Sequence, residues 1–123
     1  MNFRNYAKKH TSGSEVLAGR DKIETDALIA KYPDGVTITD FDFLDSQDGG
    51  QYVVCTFLED PDSYFNGGKI LSDMFSGIVS EFESLDQARE EYRSTPVEER
   101  IKVKLSHARS KKGNRYTKVE TVE

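Results

Sequence analysis

From Arg100 to Val122 the chain twice adopts a two-residue rhythm. Ile101, Val103 and Leu105 alternate with Arg100, Lys102, Lys104 and Ser106. After Lys111-Lys112-Gly113-Asn114 a second run, Arg115 to Val122, sets Thr117, Val119 and Thr121 on one face and Tyr116, Lys118 and Glu120 on the other. Strict alternation is the pattern of a strand with one buried face. Gly and Asn tolerate the left-handed backbone that a tight turn requires. The segment is therefore predicted to be a β-hairpin whose tip and exposed face are cationic.

The same segment holds the charge asymmetry of the molecule. Arg100–Lys118 carries eight of the seventeen Lys and Arg residues and no acidic one. Residues 1–99 carry nine basic and twenty acidic residues, a balance of −11, whereas residues 100–123 sum to +6. The net charge of −5 argues against indiscriminate coating of nucleic acid. It leaves room for a local basic groove, because binding depends on the local field. Two readings of the hairpin follow. Lysines on an edge strand can simply prevent edge-to-edge aggregation. A rigid cationic hairpin with an aromatic at its return can also hold a polyanion, neutralising phosphates and stacking a base.

The rest of the chain supplies the frame. With 36% apolar and 32% charged residues, a core forms only if the apolar side chains are well placed. Residues 1–19 are polar and are expected to form a flexible arm, followed by a single domain over 20–123. Asp21 to Thr25 is a brief strand, and Thr25 is the expected N-cap of a short helix to Lys31. Tyr32-Pro33-Asp34-Gly35 is a turn. Val36 to Leu44 is the first long strand. Val36 and Ile38 share one face, but Phe41 and Phe43 have the opposite parity. That phase break marks a β-bulge near Thr39–Asp40, or a strand buried on both faces. DSQDGG at 45–50 is a turn, Gln51 to Leu58 a second strand, and Ser63 to Asn66 a short third one. Ile70, Leu71, Met74, Phe75, Ile78, Val79 and Phe82 make one apolar helical stripe. Ser84 to Gln87 has capping-box spacing, so a second helix is predicted over 85–93, ended by Thr95-Pro96.

Strand, strand, short strand, helix, strand, strand is the order of an OB-fold, a small Greek-key barrel. The expected class is mainly β with α: an OB-like barrel, an amphipathic helix between strands three and four, and a C-terminal hairpin. The ligand face of such a barrel lies on strands two and three, between the one–two and four–five loops. Here the four–five loop, Ala108 to Asn114, is the most basic in the chain. The predicted nucleic-acid contacts are Lys102, Lys104, Arg109, Lys111, Lys112, Arg115 and Lys118 for phosphates. Tyr52 and Tyr116 are the predicted stacking residues. Phe41, Phe43, Tyr64 and Phe65 are further stacking candidates, and for the three phenylalanines the simpler role is the core.

Other constellations point to structure. Glu59, Asp60 and Asp62 lack EF-hand spacing. Gly67-Gly68-Lys69 lacks P-loop spacing and reads as a tight strand-to-helix turn. The two histidines, His10 and His107, have no metal-ligand spacing with Cys55. With no nucleophile–base motif, the expectation is a non-enzyme without cofactor. Cys55 lies in an apolar strand and reads as a buried small hydrophobe. A lone cysteine suits a reducing cytoplasm, and neither a membrane span nor a signal peptide is expected.

The run YPDGVTITDFDFLDSQDGGQYVVCTFLEDPDSYFNGGKIL, followed by IKVKLSHARSKKGNRYTKVETV, resembles small single-stranded DNA-binding proteins encoded by bacteriophages and mobile elements, over roughly residues 20–122. The resemblance implies an OB-like domain, a cytosolic location and oligomerisation. It also implies sequence-tolerant binding of single-stranded DNA during replication or recombination, beside the proteins of those processes. The sequence departs from better-known bacterial members of that class in ending on the short VETVE rather than a long acidic tail. The competing reading is a protein-interaction module whose acidic body docks a basic protein, with the hairpin as an assembly contact.

Overall fold

The computed structural model describes residues 16–122. Among them are β1 (Asp21–Lys22), α1 (Thr25–Lys31), β2 (Val36–Asp45), β3 (Gln51–Phe57), β4 (Ser63–Asn66), α2 (Lys69–Val79), α3 (Leu85–Ser94), a 3₁₀ turn (Val97–Glu99), β5 (Lys102–Arg109) and β6 (Arg115–Val122). The strands form one mixed sheet, ordered β1-β4-β3-β2-β5-β6 and curled into a half-barrel. All pairings are antiparallel except that of β1 with β4. The brief strand expected from Asp21 is β1, the five strands of the expected OB order are β2 to β6, and the connection between β4 and β5 holds two α-helices.

The phase break in β2 is a register shift between Ile38 and Asp40. It has a structural purpose. β5 joins β2 only at Val36–Val103 and Thr37–Lys102, whereas β3 follows β2 from Ile38 to Asp45. Beyond the bulge, β2 leaves its β5 neighbour and α3 packs against it instead. The sequence TDFDF fits that exchange. Asp40 and Asp42 accept from the N–H groups of Phe41 and Phe43, each at 2.8 Å. The buried Arg89 of α3 then reaches Asp40 Oδ2 at 3.2 Å and Asp42 Oδ2 at 3.8 Å. Arg93 adds a longer approach to Asp40 at 3.9 Å.

Tyr92, one turn on from Ala88 and Arg89, seals the fork itself. Its hydroxyl donates to the Ile38 carbonyl at 2.6 Å and accepts from the Ile101 N–H at 3.0 Å. Burial, above all, pushes the Tyr92 phenol up to about 12. Phe41 stacks on Phe75 of α2 with centroids 4.4 Å apart, and Tyr92 meets both rings edge-on. Ile38, Val53, Cys55, Phe57, Leu71 and Val103 complete the fully buried centre. The helical stripe thus covers the concave face through Leu71 and Phe75, while Ile70 at its start is 51% exposed.

Two local expectations differ in detail. Glu24, not Thr25, holds the N-cap position of α1 and offers no side-chain cap. The β1 ladder continues through Ile23, whose N–H donates to the Tyr64 carbonyl, so the helix begins at once after it. Of the arm expected over 1–19, residues 1–15 lie outside the described region. Val16 is buried, and its carbonyl accepts from Arg20 Nη1 at 3.1 Å. The α3 cap is as the spacing implies: Ser84 Oγ accepts from the Gln87 N–H, and Gln87 Oε1 accepts from Glu83 N–H, one residue before the cap. No helix among the described residues is long and apolar enough to cross a membrane.

Candidate functional site

The β5–β6 hairpin closes through a three-residue loop. Ser110 N–H donates to the Asn114 carbonyl, Gly113 N–H donates to the Ser110 carbonyl, and Gly113 alone adopts a left-handed φ of 83°. That is a turn followed by a bulged glycine, a usual partner of three-residue loops. The ladder then runs without interruption from Arg109–Arg115 to Lys102–Val122. Because β2 accompanies β5 only as far as Val103, the outer six residues of β5 form a two-stranded arm about 20 Å long.

The ladder sorts the predicted residues by face. Val103, Leu105 and His107 share one face, and its parity carries Arg109 and Arg115 at the tip. Lys102, Lys104, Tyr116 and Lys118 share the opposite face. Lys111 and Lys112 occupy the loop and are exposed. His107 Nε2 lies 3.1 Å from Asp26 Oδ1, which ties the arm to α1.

Their electrostatic states differ. Lys118 Nζ sits 2.7 Å from Glu120 Oε1. The pair holds the Glu120 carboxyl below its ordinary value and the Lys118 ammonium above its own. Glu120 also faces Lys104 across the ladder. The cations in mid-arm are thus partly compensated. Arg109, Lys111, Lys112 and Arg115 have no ion-pair partner among the described residues. The uncompensated charge is concentrated at the tip.

Tyr116 follows Arg115 on the return strand, on the face opposite Arg109 and Arg115, and is 46% exposed. It borders a cleft of about 310 Å³ between the arm and the start of α2, also lined by Phe65, Leu105, Val119, Lys69 and Ile70. Tyr52 is elsewhere. It pairs with Leu44 near the far end of β2, whereas β5 joins at Val36 and Thr37, about 25 Å of strand away. The structure therefore groups Arg109, Lys111, Lys112, Arg115 and Tyr116, and leaves Tyr52 apart from them. Phe41 and Phe65 are core residues, and Phe43 and Tyr64 are half-buried.

The other constellations resolve into structural roles. Glu59 accepts from the Thr37 N–H, and Asp60 accepts from Ser63 Oγ at 3.0 Å and Lys31 Nζ at 3.3 Å. Partial burial alone would raise the Asp60 carboxyl, but the Ser63 and Tyr32 hydroxyls and the Lys31 ammonium reverse the sign and hold it below its ordinary value. No cluster among the described residues could hold a metal ion. A Cβ on Gly67 would meet Val53 Cγ1 at 2.5 Å, so glycine is required there by close packing rather than by a phosphate. Cys55 is fully buried, and burial pushes its thiol far up, away from the reactive thiolate.

Sequence reasoning did not foresee that Lys69 and the exposed Ile70 would share a cleft with Tyr116. The available signal was that Ile70 begins the apolar stripe one position outside the i, i+4 pair Leu71–Phe75. No family model, curated protein or solved structure matches this chain.

Proposed function

We propose that the protein binds single-stranded DNA in a sequence-tolerant manner, with the tip of the β5–β6 arm as its anchor. One observation carries the reading: four cations without ion-pair partners among the described residues surround a turn whose return strand carries a half-exposed tyrosine as its second residue. Phosphates would be neutralised by Arg109, Lys111, Lys112 and Arg115, with Lys102 and Lys104 farther down the arm. Tyr116 would stack a base, an interaction worth about 1–3 kcal/mol. The strand order β4-β3-β2-β5-β6, with helices between β4 and β5, supports an OB-like classification. In such a barrel this arm is the four–five loop that flanks the ligand face. Service in phage or mobile-element replication or recombination follows from the sequence resemblance.

Fluorescence anisotropy of labelled oligo-dT and of a matched duplex tests the proposal. Binding to the single strand that exceeds binding to the duplex supports it. Absence of binding to either at low salt refutes it, and a basic protein docked on the acidic body then becomes the leading reading.

A further inference from the structure

The outer edge of β6 is long and open. β6 ends the sheet, runs for eight residues, and has no strand on its far side among the described residues. The Ser110–Asn114 hydrogen bond sets the phase of the ladder. Antiparallel ladders alternate hydrogen-bonded and non-hydrogen-bonded pairs. The backbone groups of Tyr116, Lys118 and Glu120 therefore turn toward β5. Those of Arg115, Thr117, Val119 and Thr121 turn outward, unpaired. Such an edge invites another strand unless its side chains forbid one.

Here the side chains specify one. A two-fold axis at Val119 would set a second β6 antiparallel, with Val119 hydrogen-bonded to Val119. Thr117 would then face Thr121, and Tyr116 would face Val122. Lys118 would face Glu120, twice, as non-hydrogen-bonded pairs, where side chains approach most closely. An axis at Lys118 instead opposes lysine to lysine, and an axis at Glu120 opposes glutamate to glutamate. Like charges directly opposite are destabilising. The charge pattern thus accepts one register and rejects its two neighbours.

We propose that the edge of β6 is a self-complementary interface for a second copy of this chain, centred on Val119. About six main-chain hydrogen bonds would cross it. The two basic tips would project in opposite directions from a continuous four-stranded ribbon. This inference stands independently of the nucleic-acid reading.

Charge reversal and mixing test it, read by sedimentation equilibrium on the full chain. The wild type is expected to dimerise. Lys118→Glu alone opposes two glutamates, and Glu120→Lys alone opposes two lysines, so each should weaken the dimer on the order of tenfold or more. An equimolar mixture of the two variants restores both opposite-charge pairs and should recover the dimer as a heterodimer. Effects within one chain do not change on mixing. Thr117→Pro removes an outward N–H while leaving the β5 ladder intact, and should yield a folded monomer by circular dichroism. A wild type that sediments as a monomer throughout, a mixture that stays monomeric, or a Thr117→Pro chain that dimerises like the wild type would overturn the proposal.

Discussion

Removing the Tyr92 hydroxyl tests the account of how the sheet divides. Tyr92→Phe keeps the ring against Phe41 and Phe75 but deletes the one atom that serves both sides of the fork. Two bonds go: the one donated to Ile38 O and the one accepted from Ile101 N. The neighbouring bond from Ile38 N–H to the Ile101 carbonyl at 2.9 Å remains, so the fork loosens rather than opens. A buried group left without its partner costs about 1–3 kcal/mol, and two are left here. Ile101 is only half-buried and can recruit water, which lowers the sum. The expected loss is about 2–4 kcal/mol, or roughly 10 °C in Tm for a domain of this size. Urea denaturation followed by circular dichroism measures it, with the slope m unchanged. Tyr32→Phe is the control. Its hydroxyl makes an exposed bond to the Glu59 carbonyl and also meets the Asp60 carboxylate, and its loss should shift the urea midpoint only slightly. If Tyr92→Phe falls in that same range, the hydroxyl does not hold the fork and the reasoning fails.

Arg89→Ala should destabilise by roughly 3 kcal/mol in the same assay, because it takes the buried guanidinium away from the Asp40 and Asp42 carboxylates, and adding Asp40→Asn should recover part of the loss. Gly35→Ala should cost about 2 kcal/mol, since Gly35 has φ 112° and a Cβ there would lie 2.9 Å from the Val103 carbonyl oxygen. The folded Asp60 carboxyl is held below its ordinary value of 3.8, so its stabilisation is complete above that value and is lost as pH falls through the lower, folded one. Asp60→Asn should therefore reduce stability at neutral pH and flatten the fall in stability below about pH 4, as read from urea midpoints across pH.

The parts legible in the sequence were those written in periodicity. The alternation of Val103, Leu105, Thr117 and Val119 specified the hairpin, and the parity change between Ile38 and Phe41 located the bulge. The stripe from Ile70 to Phe82 and the Ser84–Gln87 spacing located both long helices, although the first of them ends at Val79 and Phe82 lies beyond it. What the bulge was for was not legible. It depends on Tyr92 reaching Ile38 across fifty-four positions and on Arg89 reaching Asp40 across forty-nine, and local pattern carries no such separations. The short β1 strand was anticipated, but its parallel pairing with β4 was not, because two residues have no periodicity to read. At the candidate site, strand parity and the basic hairpin pointed to seven cations and two tyrosines. The ladder register then separated Tyr52 from the rest, and Glu120 compensated Lys118, a pairing at i, i+2 that strand geometry makes but a charge count misses.

The salt dependence of oligo-dT binding, compared between the wild type and a chain with Lys111, Lys112 and Arg115 all replaced by Ala, tests the central claim most directly. Each phosphate neutralised on a single strand contributes a log–log slope of about −0.7. If the arm tip anchors the strand, the triple variant remains folded, binds more weakly, and has a slope shallower by about 2. A variant that binds with the affinity and salt slope of the wild type would remove the arm from the mechanism and contradict the proposed function at its anchor.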